Sequence, residues 1–154
     1  MIGQRLVNGV DSSSVSAEDR GLQYGDGLFE TMLAAGGSIR HFGRHLQRLS
    51  EGCGRLGIPL PAPELLAADC RKVLEGLDRG VGKLILTRGP GPRGYRPPVE
   101  VMVTRIVACS AFKPLSAASD GLTLRICETR LGSNPQLAGL KHLNRLEQVL
   151  ACAE

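Results

Sequence analysis

The chain has 154 residues, 42% of them hydrophobic and 22% charged, with a formal net charge of +4. That balance suits a globular protein with a buried core, and no apolar run approaches the length of a membrane span. Only 3% of residues are aromatic and the arginines are spread along the chain, so there is neither a stacking platform nor a polybasic run for a nucleic acid.

Met1 to Val7 lacks the apolar core of a signal peptide, which makes a cytoplasmic protein the simple expectation. Gln4 to Asn8 reads as a short strand turned at Asn8-Gly9, and Ser12 to Gln23 as a polar loop. Leu28 to Ala34 reads as a strand, with Gly36-Gly37 as the hairpin turn before Ile39, Arg40 and His41. Leu46, Leu49, Cys53 and Leu56 recur at spacings of three and four, the mark of a helix over 45–56 that Gly57 and Pro59 end. Leu66, Cys70, Val73, Leu74 and Leu77 repeat the pattern over 63–77, with Pro63 well placed at a helix start. Lys83 to Arg88 reads as a strand, 89–98 as a Gly/Pro-rich loop, and 99–108 as a strand in which Val99, Val101 and Val103 alternate with Glu100, Met102 and Thr104.

Between 111 and 121 Pro, Ser, Ala and Asp replace the apolar pattern, as in a linker. Leu122, Leu124 and Ile126 then begin a new strand. A small α+β domain is expected over 1–110, a linker over 111–121, and the opening of a second domain over 122–154. The five cysteines, at 53, 70, 109, 127 and 152, form neither a CxxC nor a zinc spacing. Cys53 and Cys70 fall on apolar helix faces and read as buried free thiols.

The most informative stretch is Gly139-Leu140-Lys141-His142-Leu143-Asn144-Arg145-Leu146-Glu147-Gln148-Val149. It places Lys141 between an apolar, turn-rich approach and an amphipathic helix. Desolvation there favours the neutral amine that a nucleophile or base requires. Arg48 stands on the first helix, where a guanidinium is able to meet two oxygens of a phosphate at once. The loop Thr87 to Pro97 carries Arg88, Arg93 and Arg96 together with Tyr95. It reads either as an exposed hairpin or as a clamp for an anionic substrate. Gly25-Asp26-Gly27 reads as an architectural turn, and His45 as structural. Glu30 and Thr31 on the following strand, and Asn144 beyond Lys141, are further candidates to face or brace the site.

The stretch from Leu131 to Leu150 resembles the active-site lysine region of the 4-amino-4-deoxychorismate lyases, members of the fold-type IV pyridoxal-phosphate (PLP) enzymes, the class IV aminotransferase-like group. Asp19-Arg20-Gly21-Leu22-Gln23-Tyr24-Gly25-Asp26-Gly27-Leu28-Phe29-Glu30 is similar to the N-terminal signature of that group, and His45-Leu46-Gln47-Arg48-Leu49 to its phosphate-arginine helix. The resemblance implies an α+β fold of type IV, with a complete small N-terminal domain and the first part of a larger cofactor domain. It implies PLP as cofactor, Lys141 as its tether and proton carrier, and Arg48 as a phosphate ligand. By analogy with D-amino-acid aminotransferases, Arg93 binds a substrate carboxylate, with Tyr95 beside it. The implied reaction turns 4-amino-4-deoxychorismate into 4-aminobenzoate and pyruvate on the way to folate. An aminotransferase of the same fold is the alternative.

Family members run well past 154 residues, and the helical spacing of Leu143, Leu146 and Leu150 is still running at Glu154. The expectation is therefore the front portion of a larger homodimeric enzyme. On its own this portion would expose apolar surface where a second domain packs, and an inactive fragment lacking the rest of the cofactor site is a further alternative.

Overall fold

The computed structural model describes residues 2–112, 121 and 123–154. Its elements in chain order are β1 (Ile2–Val7), β2 (Val10–Asp11), α1 (Arg20–Tyr24), β3 (Gly27–Ala35), β4 (Ser38–Ile39), α2 (Phe42–Leu56), α3 (Pro63–Leu74), β5 (Arg79–Thr87), β6 (Thr104–Ala111) and α4 (Leu146–Ala153). The six strands form one antiparallel sheet in the order β2-β1-β6-β5-β3-β4.

Alternation along the strands decides where the core lies. In β3, Leu28, Glu30, Met32 and Ala34 are buried, whereas Phe29, Thr31 and Leu33 are not. Leu28 lies opposite Leu86, and Glu30 opposite Leu84. Leu84 lies opposite Val107, which in turn faces Leu6. These residues pack against Leu49 and Cys53 of α2 and against Leu66, Cys70 and Val73 of α3. Both helices therefore cover the same face of the sheet, each fully buried leucine contributing roughly 1.5–3 kcal/mol. The opposite face carries Phe29, Thr31, Lys83 and Ile85, and neither of these helices covers it.

Both predicted helices form, with shifted ends. α2 starts at Phe42 and ends at Gly57, whose φ of 63° lets its amide donate to the carbonyls of Cys53 and Gly54. α3 has Pro63 in its first turn and Arg71 and Lys72 in its last, but stops at Leu74 rather than Leu77, because Glu75 is extended and Gly76 turns at φ 75°. Cys53, Cys70 and Cys109 are buried free thiols, while Cys127 and Cys152 are exposed. Burial pushes the Cys53 thiol up to about 11 and the Cys70 thiol up to about 12.

Three expectations fail. The polar stretch before Tyr24 closes in the short helix α1, capped by the Asp19 carboxylate, which accepts from the Gly21 amide at 2.8 Å. The strand expected from Val99 begins only at Thr104. Thr87 opposite Thr104 is the last pair, and the chain then turns away at Gly89 (φ 83°), so no strand lies opposite Val99 to Val103. Leu124 and Ile126 form no strand among the described residues and are 88% and 96% exposed. A strand needs a neighbour to accept and donate its backbone hydrogen bonds, and among the described residues none pairs with them. The predicted linker falls largely on residues 113–120, outside the described residues. No helix among the described residues is long and apolar enough to cross a membrane.

Candidate active site

The backbone of Lys141, His142 and Leu143 fills the edge of β3 that β4 leaves open. β4 pairs only with Ala34 and Ala35. At the other end of β3 the Phe29 amide donates to the Lys141 carbonyl at 2.9 Å, and the Leu143 amide donates to the Gly27 carbonyl at 3.0 Å. His142 thereby bridges to Leu28. Asn144 adds a longer contact, its Nδ2 donating to the Gly25 carbonyl at 3.4 Å. The helix expected right after Lys141 begins at Leu146, because 141–143 is spent on the sheet edge.

This edge pairing carries the Lys141 ammonium to 4.2 Å from the centre of the Phe29 ring, within cation–π distance. Lys83 Nζ lies 5.2 Å and the Arg145 guanidinium 5.5 Å from the same ring. An open groove of about 610 Å³ is lined by Phe29, Lys141, Arg145, Gln148, Val149, Cys152 and Ala153. Burial lowers the pKa of Lys141. Glu30 opposes that shift, while Arg48, Arg145 and Lys83 reinforce it. The site is thus an aromatic wall ringed by cations, holding one amine biased towards its neutral form.

Arg48 reaches the region from α2. Its side chain is 48% exposed, but its Nε donates to Glu30 Oε1 at 2.7 Å and its Nη2 to Glu30 Oε2 at 2.5 Å. His45, one turn earlier, pairs through Nδ1 with Glu30 Oε2 at 2.7 Å. The Glu30 hydrogen bonds hold the Arg48 pKa above its ordinary value, with burial opposing. Burial alone would raise the Glu30 pKa; hydrogen bonds from Arg48 and His45 and their charges outweigh it and bring it below the ordinary value.

Gly25-Asp26-Gly27 is architectural, as expected, and the structure adds the reason. The Asp26 carboxylate accepts from Arg20 Nε at 2.9 Å and from Arg88 Nε at 2.8 Å. Arg88 also donates to the carbonyls of Leu56 and Gly57, tying the end of α2 to the turn. Arg88 is 5% exposed and all three of its guanidinium nitrogens donate within the fold, so its reading as a substrate cation is corrected: it is a buried brace. Arg20 donates to the carbonyls of Gly94 and Tyr95, and the Gly94 amide donates to the Tyr24 hydroxyl at 3.0 Å. The loop that carries Arg93 is pinned by these bonds. Arg93 itself lines a separate groove with Glu18, Gln23, Pro90 and Met102, and does not meet Lys141. Tyr95 packs edge-on against Tyr24 at 5.5 Å and is 87% exposed.

Sequence reasoning missed Lys83, Arg145 and the Phe29 wall. The available signal was strand register: Phe29 lies opposite Ile85 and Thr31 opposite Lys83, on one face.

The family described as "Amino-transferase class IV" matches residues 27–154. The chain is 41% identical over 157 residues to the aminodeoxychorismate lyase of Vibrio harveyi, covering 96% of this chain and 55% of that protein. The fold superposes on the crystal structure of 4-amino-4-deoxychorismate lyase from Pseudomonas aeruginosa with a TM-score of 0.89 at 49% identity, covering 97% of this chain and 56% of that one. The branched-chain amino acid aminotransferase from Escherichia coli shares the fold at a TM-score of 0.66 and 21% identity, over 73% of this chain and 42% of that one. The chain spans about half the length of these relatives.

Proposed function

Because the chain belongs to the class IV aminotransferase family, we propose that it supplies the working lysine of a PLP-dependent lyase that converts 4-amino-4-deoxychorismate into 4-aminobenzoate and pyruvate. The observation that carries the reading is Lys141, held by the β3 edge over Phe29 with its pKa lowered by burial. The likeness to two lyases of that name, at higher identity than to the aminotransferases, supports the lyase reaction.

The residues fit PLP. An amine with lowered pKa suits its aldehyde, the Phe29 ring offers an apolar wall, and the half-exposed Arg48 offers donors to a phosphate. When bound, PLP supplies a sink for the electrons of the carbon that bears the substrate amine. Lys141 would be the residue that holds the cofactor and is freed once substrate is bound. Lys141 Nζ is then the base beside that carbon and removes its proton. The electrons released from that C–H bond expel the enolpyruvyl ether, which leaves as pyruvate once protonated. The ring that remains is aromatic, so the protein mainly has to position groups and move one proton. Lys83 and Arg145 keep the Lys141 amine from holding that proton too tightly.

One part of the reading rests on assembly. Arg93 opens on a different groove from Lys141, so its role as a carboxylate ligand, with Tyr95 beside it, belongs to a homodimer in which a second copy brings the pinned loop to the site. A cytoplasmic location follows from the same reading of a folate-pathway enzyme.

The test is an assay of the intact protein with 4-amino-4-deoxychorismate, coupling pyruvate to NADH oxidation through lactate dehydrogenase. PLP-dependent pyruvate release, without amination of added keto acids, is expected. Keto-acid amination without pyruvate release would replace the lyase by an aminotransferase.

A further inference from the structure

We infer that Glu30 is a positioning residue for phosphate recognition: its buried carboxylate clasps the Arg48 guanidinium and fixes which edge of it is offered to a ligand. The inference rests on the reading that Arg48 takes the cofactor phosphate.

Glu30 occupies the inward register of β3, between Leu28 and Met32, and its side chain is 1% exposed. An ionised carboxylate in that position is costly unless paired. Three donors pair it: Arg48 Nε, Arg48 Nη2 and His45 Nδ1. His45 and Arg48 are three residues apart on α2 and so reach the same carboxylate from one helix face. The clasp uses Nε and one Nη2 proton. A guanidinium has five N–H groups in a rigid fork, so the Nη1 pair and the second Nη2 proton remain for a ligand. The Arg48 side chain is half exposed. A long side chain ordinarily loses rotamer freedom when it grips a phosphate; here Glu30 has already removed that freedom. The carboxylate also offsets, at Lys141, part of the effect of the neighbouring cations.

The test compares how tightly the intact protein binds PLP and pyridoxal, which lacks the phosphate, by absorbance titration. Arg48→Met tests the underlying reading and is expected to cut the preference for PLP over pyridoxal by about 10–100-fold. Glu30→Gln tests the inference and is expected to cut the same preference by roughly tenfold, since any effect through the Lys141 amine falls on both ligands alike and leaves their ratio unchanged. In the Arg48→Met background Glu30→Gln is expected to add nothing, since the two act through one contact. A merely structural Glu30 would lower both affinities alike. If Arg48→Met lowers the preference and Glu30→Gln leaves it intact, the inference is overturned. If Arg48→Met itself leaves the preference intact, the phosphate reading fails instead. Should Glu30→Gln not fold, Glu30→Asp carries the test, because it keeps the buried charge but withdraws the carboxylate from the guanidinium. Loss of preference with pyridoxal still bound supports the clasp, and full retention overturns it.

Discussion

Lys141 and Phe29 are joined twice, once through the backbone, where the Phe29 amide donates to the Lys141 carbonyl at 2.9 Å, and once through the side chains, where the ammonium lies 4.2 Å from the ring centre. The first contact fixes where the lysine leaves the sheet edge. The second fixes what its amine faces. Neither depends on the loop that follows, so the strand β3 itself aims the lysine.

Removal of that amine is expected to abolish turnover while sparing the fold. Lys141→Arg keeps a cation but cannot be deprotonated, and should cost about 10³-fold or more in kcat. Thermal unfolding of the variant should match the parent within a few degrees. Turnover within tenfold of the parent would show that another group moves the proton.

The lowered pKa of Lys141 has a chemical signature. Its neutral fraction appears at a lower pH than that of an ordinary lysine, whose value is 10.5. Amine acylation followed by peptide mapping across pH 7 to 10 should therefore label Lys141 at a lower pH than the side chain of free lysine. Glu30→Gln removes the charge that holds the Lys141 pKa up, so it should shift the labelling curve lower still.

Asp26 sits between two nearly buried arginines, with Arg20 and Arg88 side chains 3% and 6% exposed. Burial by itself would raise the Asp26 pKa, but the hydrogen bonds and charges of Arg88 and Arg20 lower it. Asp26→Ala leaves both guanidinium groups unpaired and should cost about 3–5 kcal/mol in urea unfolding. Asp26 and Glu30 are both depressed carboxylates, so the sign of their pH dependence is shared. Their stabilisation is fully present above the ordinary values of 3.8 and 4.5 and is lost as pH falls through the lower folded values. Asp26→Asn should accordingly flatten the loss of stability between about pH 5 and pH 2.

Gly89 permits the close return of the loop. Its φ is 83°, and a Cβ there would stand 1.7 Å from the Met102 carbonyl oxygen. Gly89→Ala should destabilise by about 3 kcal/mol or more in the same unfolding assay, whereas Gly43→Ala, with open space around it, should be neutral or stabilising.

For the substrate clamp, Arg93→Met is expected to raise KM for 4-amino-4-deoxychorismate by about tenfold or more, with kcat little changed. An unchanged KM would remove Arg93 from the substrate site.

The helices were legible because each states its buried face in one local run, Leu46 to Leu56 and Leu66 to Leu74. Strand ends were less legible. Val99 to Val103 alternates as a strand does, yet what decides is whether β5 still runs opposite, and Gly89 ends it. α1 carries no apolar period at all; Asp19 capping and the αL glycine at 25 make it, and five residues are too few for a pattern. Lys141 and Arg48 were singled out by their motifs. Their surroundings were not, because the partners lie far apart in the chain: Glu30 eighteen residues from Arg48, Asp26 sixty-two from Arg88. One clue was present throughout, since Glu30 stands in the inward register of an otherwise apolar strand, where a charge requires a buried partner.

The central claim, that Lys141 is the cofactor lysine, is tested most directly by adding PLP to the intact protein, reducing with borohydride and mapping the modified peptide by mass spectrometry. The account expects a pyridoxyl group on Lys141 alone. No labelling of Lys141, or labels scattered over surface lysines such as Lys72, would contradict it.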